Sequence, residues 1–292
     1  MLTVGGVAAE SSTQPPRISI IIDDLGYDLR AARRTVALPG PVVCSILPHT
    51  PHAGRIAELA HRTGKTVFLH LPLQAADDAA PIDEQESSRV AGQSLEVLPT
   101  SIASDRQGLD TNADRTITLD TTQAGLQSVV ADGLASVPHA IGINGHRGSL
   151  LTRHPGQMAW LMEEIAARDL LFVDSYTTHL SVALEIAAEH GVTATRRHVF
   201  LDNDPAPAAI EAEFFRLLRL ARRQGYAVAI GHPYPTTLAF LERTLPALEG
   251  SGVELVDIRS LLSGNSAPAE LSPVSEAQTA VGEVEPTGAE SF

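Results

Sequence analysis

The sequence predicts an α/β fold, a (β/α) barrel of seven or eight mostly parallel strands. Three observations predict it. Apolar strand-like runs alternate with amphipathic helical runs, the pattern of a parallel sheet with helical crossovers. The strand runs are nearly continuous in apolar residues, as in sheets covered on both faces. Most of them end on an Asp or a His, and parallel α/β folds carry their chemistry at the carboxyl ends of strands.

The elements follow in order. Ile18–Ile22 is the first strand run and leads into Asp23-Asp24. Asp28–Leu38 is a short helix stopped by Pro39-Gly40, and Pro41–Leu47 is the second strand. Pro51–Arg62 reads as a helix, with Ile56, Leu59 and Ala60 at helical spacing and Gly64 as its stop. Thr66–Leu69 runs into His70, and Pro72, which lacks a backbone donor, is expected to end that strand. Thr122–Ser136 presents Leu126, Val129, Val130 and Leu134 on one helical face. Ala140–Ile143 runs into Asn144-Gly145-His146, Leu171–Val173 into Asp174, and His198–Leu201 into Asp202. Between them lie helices over Pro155–Arg168 and Leu180–His190, the second closed by Gly191. The clearest helix is Pro205–Gln224, read with Asp204 as N-cap, Pro205 at its first position and Gly225 just past its end. Ala227–Gly231 then runs into His232, Thr236–Leu248 is the next helix, and Val253–Ile258 is the candidate eighth strand.

A chain of 292 residues, 43% hydrophobic, can fill one large core, so residues 17–263 are read as a single barrel. Residues 1–16 are read as a disordered leader or the remnant of a signal segment. They lack a basic start, but Val7-Ala8-Ala9 resembles a small-residue cleavage region. Residues 76–120 are a polar insertion too long for an ordinary loop. Within it, Asp110-Thr111-Asn112-Ala113-Asp114 imitates a calcium loop, but Arg115 stands where glycine is required and Thr121 where the closing Glu belongs. Residues 264–292 form an acidic tail expected to be disordered.

Net charge is −14, from 21 Lys and Arg against 35 Asp and Glu. The tail carries five Glu and no Lys or Arg, and the insertion ten acids against three Arg, so the body is near neutral. No basic cluster supports nucleic-acid binding, which needs a Lys/Arg footprint on phosphates. No run of about 18 apolar residues predicts a transmembrane helix. The single cysteine, Cys44, excludes an internal disulfide, and its mid-strand place suggests a buried, inert thiol. No Gly-x-Gly-x-x-Gly, phosphate-loop Lys, Gly-x-Ser-x-Gly elbow or His-Glu-x-x-His helix is present, so nucleotide, serine-hydrolase and zinc-helix readings fall away.

What remains is the set of strand ends. Adjacent strand residues point to opposite faces, but where a strand ends the chain turns, and both Asp23 and Asp24 can then serve one site. One would bind a cation while the other takes a proton; the plainer alternative is a capped strand-to-helix turn. His70 is either a satisfied core histidine or a ligand. Gly142–Ser149 places His146 among three glycines, either as an ordinary glycine-rich loop or as a metal ligand or proton carrier flanked by Arg147. Asp174 and Asp202 could each orient a histidine, and His232 could be a general acid. The other histidines fall on loops or helix surfaces and are read as solvated. Only 4% of residues are aromatic, and Tyr27, Tyr176 and Tyr234 stand close to the strand-end residues.

Six strings in register, Ile21–Tyr27, Phe68–Pro72, Gly142–Ser149, Phe172–Ser175, Val199–Asp202 and Ala229–Pro235, resemble the divergent polysaccharide deacetylase family. The resemblance implies a distorted barrel of seven strands, a divalent metal, most often zinc, and removal of acetyl groups from glycans. Carried over residue by residue, it implies Asp23 as general base, His232 as general acid oriented by Asp174, and Asp24, His70 and His146 as metal ligands. Asn144, Arg147, Ser149 and Tyr234 would contact substrate, Arg147 either steadying an oxyanion or pairing with a surface acid. The His-x-x-x-His pair of the larger deacetylases is absent, so the second histidine ligand must come from another strand. The implied partner is an acetylated oligosaccharide or glycan fragment, and the implied location is periplasmic or secreted, with the cytoplasm as alternative. A catalytically silent metal- or ligand-binding barrel of the cell envelope is the competing class.

Overall fold

The structure, a computed structural model, describes residues 15–78 and 115–263. Most of the 1–16 leader, most of the 76–120 insertion and the acidic tail lie outside the described residues.

Among the described residues nine strands pair, all in parallel: β1 Arg17–Leu25, β2 Val42–Ile46, β3 Thr66–Leu73, β4 Ala140–Arg147, β5 Leu171–Asp174, β6 Ala194–Arg196, β7 Val199–Phe200, β8 Tyr226–Gly231 and β9 Glu254–Leu255. The order across the sheet is β6-β5-β4-β3-β2-β1-β8-β7, with β9 beside the start of β1. Strands β6 and β7 are two halves of one segment. The first half pairs with β5, then Arg197 N donates to Asp174 O, His198 N donates to Val228 O, and the second half pairs with β8. One segment that changes neighbours thus joins the two ends of the sheet and curls it into the distorted barrel. Counting it once gives seven strands, with β9 as the eighth.

Alternation along the strands sorts side chains to two faces. Ile21, Val43, Phe68, Val173, Val228 and Ile230 fill the interior. Gly142 is required there, because a Cβ on it would lie 2.4 Å from the Phe68 ring. The interior is closed at the amino ends of the strands by Val256 and by Ile258, Leu261 and Leu262 of the last helix, α8 (Ile258–Ser263). Thr66 Oγ1 donates to Asp257 Oδ2 and Arg17 Nη1 to Ser260 O, which ties that plug to the strand starts. Ile18, Ile20 and Ile22 face outward into the larger core beneath the helices. Each such fully buried aliphatic contributes about 1.5–3 kcal/mol relative to exposure.

The helices are α1 Leu29–Val36, α2 Ala53–Arg62, α3 Gln123–Ser136, α4 Pro155–Ala167, α5 Ala183–Glu189, α6 Pro207–Gln224, α7 Pro235–Thr244 and α8. Asp28 caps α1 through Arg30 N and Ala31 N, and Thr122 caps α3 through Gly125 N. Gly225, at φ 90°, ends α6 as expected. The start of α6 differs from the sequence reading. Its N-cap is Ala206, and Asp204 accepts from Ala206 N in the turn before it. Pro207 explains the shift: a residue before proline is pushed out of helical conformation, so the helix cannot include Ala206.

Pro72 does not end β3. It lies in register opposite His146, and the ladder runs on to Leu73. In a parallel strand each residue bonds to one side only. The Pro72 carbonyl faces away from β4 and accepts from Ile117 N, so its missing N–H removes nothing from the β3–β4 ladder. The last residues of the insertion are also pinned by Gln74 N to Ile117 O and by Leu119 N to Gln74 Oε1.

Candidate metal and acid–base centre

The strand-end residues converge at the carboxyl end of the barrel. Asp23 continues the inward face of β1 after Ile21. Asp24 follows at φ 56°, and the β1–β2 register shifts between Ile22 and Leu25. This irregularity swings Asp24 toward the site that Asp23 already faces. His70 and Asn144 are register partners on β3 and β4, and His146 follows two residues later on the same face.

Asn144 is completely buried at the centre. Its Nδ2 donates to Asp23 Oδ1 at 2.9 Å and Oδ2 at 3.1 Å, while its Oδ1 accepts from Ser45 Oγ at 2.6 Å. His70 Nδ1 is 3.1 Å from that same carbonyl oxygen. A carbonyl only accepts, so Nδ1 carries the proton and the His70 Nε2 lone pair is aimed at the site. Nε2 lies 3.3 Å from Asp24 Oδ1 and 3.2 Å from His146 Nδ1, and His146 Nδ1 lies 3.0 Å from Asp24 Oδ1. Asp24, His70 and His146 are the one Asp/His/His group among the described residues able to hold a metal ion.

The triangle can be tested against a cation. Tetrahedral zinc binds oxygen and nitrogen at about 2.0–2.2 Å, which separates neighbouring donors by about 3.4 Å. The observed sides of 3.0–3.3 Å match closely. Electrostatics agree. Burial disfavours charge on Asp24, yet hydrogen bonds from His146 and His70 hold its carboxyl well below the usual range. Burial likewise opposes charge on His70, but Asp23 and Asp24 raise its pKa. The point where these groups meet favours one positive charge, whether a proton or a metal cation.

His232 stands on the other side. Its Nδ1 donates to Asp202 Oδ1 at 2.9 Å, leaving Nε2 to face Asp24 Oδ2 at 3.9 Å. Asp202 is fixed in turn by His232 N and Thr237 Oγ1, both on its Oδ2. Burial lowers the pKa of His232, but the Asp202 hydrogen bond and the Asp24 field carry it up to about 9.

The family profile described as divergent polysaccharide deacetylase matches residues 20–96 and 97–262. The chain belongs to the divergent polysaccharide deacetylase family. It is 30% identical over 257 residues to the uncharacterized protein YibQ of Escherichia coli K12, covering 88% of this chain and 70% of that one. It is 31% identical over 245 residues to an uncharacterized protein of Haemophilus influenzae, covering 84% and 76%. Among solved structures it superposes on an uncharacterized protein of Agrobacterium tumefaciens C58 with TM-score 0.69 at 19% identity, over 86% of this chain and 91% of that one. A putative cellobiose-phosphate cleavage protein of Enterococcus faecalis V583 follows with TM-score 0.55 at 14% identity, covering 85% and 99%. These likenesses carry the fold.

Several residue assignments change within this family site. Asp174 does not reach His232: its Oδ2 accepts from Ser181 Oγ and its Oδ1 from Tyr176 N. Asp202 occupies the orienting position instead, because β7 delivers it beside the end of β8. Arg147 extends outward to Asp78 at 2.5 Å and Asp77 at 2.7 Å, so it pairs with surface acids rather than an oxyanion. Ser149 Oγ accepts from Ala76 N, bracing the chain after β3. Asn144 is too deeply buried to touch substrate and acts through Asp23 and His70. Tyr234 is half-buried with its ring 5.4 Å from His232, at the rim where the sequence put it. Of the histidines read as solvated, His198 Nδ1 accepts from Val228 N, and His61 stacks on His139 away from the site.

Two rim residues are not singled out by the sequence, although Phe200 lies within the Val199–Asp202 string. Phe200 stacks near His232, with centroids 6.1 Å apart and planes 20° apart. Arg197 lies over Phe200, its guanidinium carbon 3.6 Å from the ring centroid.

Proposed function

We propose that this protein is a metal-dependent hydrolase that removes acetyl groups from an acetylated carbohydrate. The observation that carries the reading is one site holding three parts: the Asp24/His70/His146 donor triangle, the amide-braced carboxylate of Asp23, and the Asp202-braced imidazole of His232.

A divalent cation held by Asp24, His70 and His146 would supply Lewis acidity, acidifying water and polarising an acyl carbonyl. Zinc suits a donor set of one carboxylate and two imidazoles. Asp23 is the proton acceptor for the attacking water. Asn144 donates to both of its oxygens, which fixes the carboxylate in one orientation within the buried site. His232 is the acid. Its Nδ1 proton is engaged by Asp202, so the proton on Nε2 is the one delivered to the departing nitrogen or oxygen. The Asp202 hydrogen bond favours the doubly protonated ring, the form that can donate.

The test is acetate release from N- and O-acetylated chito-oligosaccharides and peptidoglycan fragments by metal-loaded protein. Release that Asp23→Asn abolishes, with metal content unchanged, is the expected result. No acetate from any of these substrates with metal fully loaded overturns the reading and leaves a binding barrel.

A further inference from the structure

Arg197 sits at the seam where the barrel closes, between β6 and β7. Its Nε donates to Ser175 O at 2.7 Å and its Nη2 to Tyr176 O at 2.6 Å. Its flat face lies on the Phe200 ring, whose other neighbour is His232. The head group is therefore rigid, half-buried and at the rim of the acid–base centre. No carboxylate among the described residues pairs with it: its hydrogen bonds go to neutral carbonyls. Asp174 and Asp23 act on it only through their fields, and burial brings its pKa down to about 10. Contrast Arg147 and Arg34, whose guanidiniums are each met by carboxylates.

Holding a guanidinium half-buried without a counter-ion is costly unless something brings the missing negative charge. Nη1 takes no part in those two bonds, and guanidinium N–H groups match carboxylate and phosphate oxygens in a fork. We propose that Arg197 is an anion subsite, so that the preferred substrate carries a carboxylate or phosphate beside its acetyl group. This deepens the deacetylase reading and rests on it. The order Arg197, Phe200, His232 places the subsite beside the acid–base centre. Phe200 would then be both a platform for Arg197 and a wall for the sugar.

The experiment compares acetate release from three probes: N,N′-diacetylchitobiose, its 6-phosphate, and the N-acetylglucosaminyl–N-acetylmuramic acid disaccharide. The carboxamide of the last is a near-isosteric neutral control. A charge-assisted bond of this kind predicts a kcat/KM preference of about 10- to 100-fold for an anionic probe over its neutral counterpart. Whichever anion is preferred identifies the charge as carboxylate or phosphate. Arg197→Gln should bring the anionic-to-neutral ratio to about one, and Arg197→Lys, which keeps the charge, should retain part of it. Equal kcat/KM for all probes in the unmodified protein overturns the subsite. So does an Arg197→Gln protein that loses rate equally on all probes and keeps the ratio, since that is the mark of a purely structural arginine. Absence of acetate from every probe instead overturns the deacetylase reading beneath it.

Discussion

Asp23 and Asp24 are consecutive in the chain, yet their carboxylates serve one site: His70 Nε2 lies 3.7 Å from Asp23 Oδ2 and 3.3 Å from Asp24 Oδ1. A regular strand would send them to opposite faces. The left-handed backbone of Asp24, at φ 56°, and the break in the β1–β2 register undo that alternation. Left-handed conformation costs an ordinary residue about 1–2 kcal/mol, and Asp and Asn tolerate it best.

This geometry gives a clean ligand test. Asp24→Asn keeps a residue that accepts left-handed backbone but removes the charge. Metal affinity should fall by more than the 10–100-fold typical of losing an outer-shell partner, and the metal-free protein should also lose stability at neutral pH, because the hydrogen bonds that lower the Asp24 pKa favour its charged form. His70→Ala and His146→Ala should lose metal similarly. Elemental analysis after dialysis measures all three, and unchanged metal in the two histidine variants sinks the ligand assignment.

Asn144 is buried and reaches substrate only through Asp23 and His70. Asn144→Ala should therefore lower kcat for acetate release with KM nearly unchanged. It also leaves the Asp23 carboxylate without its amide, which should cost roughly 1–3 kcal/mol in urea denaturation. A rise in KM at constant kcat would return Asn144 to substrate contact.

How far the site could be read from sequence follows from which residues depend on local pattern. Asp23, Asp24, His70, His146 and His232 each end a strand run, and parallel packing brings strand ends together whatever the intervening chain does. The barrel and most helices follow from the same periodicities. The pairing of His232 was a different matter. Asp174 and Asp202 both end strand runs, and only the change of partner between β6 and β7 puts Asp202 beside β8 while Asp174 turns to Ser181. Arg197 lies outside every motif string, and Phe200 stands inside one without a role, for the same reason: their importance arises from that seam. Arg147 looked functional beside His146, but its left-handed backbone, at φ 62°, leaves β4 and takes the guanidinium to Asp77 and Asp78. Pro72 obeyed its rule about donors, and the sequence could not show that the donorless edge faces away from β4.

The His232–Asp202 pair should be visible in pH dependence. The folded pKa of His232 is raised to about 9 from an ordinary value of 6.5. A raised pKa contributes stability that is fully present below the unfolded value and is lost as pH rises through the folded one. The unfolding free energy of metal-free protein, held in chelator, should thus exceed that of Asp202→Asn most at pH 6 and below. The gap should shrink as pH passes 9. A gap that widens with pH contradicts the assignment. In the catalytic assay, His232→Ala should lower kcat by about 10²–10⁴-fold, the usual contribution of a positioned acid.

Cys44 offers a reporter for the sheet itself. It lies mid-strand in β2, wholly buried between β1 and β3, and burial pushes its thiol pKa up to about 12. Only the thiolate reacts with disulfide and maleimide reagents, and the native thiol is both protonated and enclosed. At pH 8 the folded protein should therefore react orders of magnitude more slowly than protein unfolded in urea. Because β2 is paired on both sides, exposing Cys44 requires opening of the central sheet rather than fraying at an edge. The labelling rate should then fall with added stabilisation and rise along the urea transition monitored by circular dichroism. Rapid labelling of folded protein would mean that β2 opens locally, and that the sheet holding the Asp23–Asp24 turn is far less rigid than its burial implies.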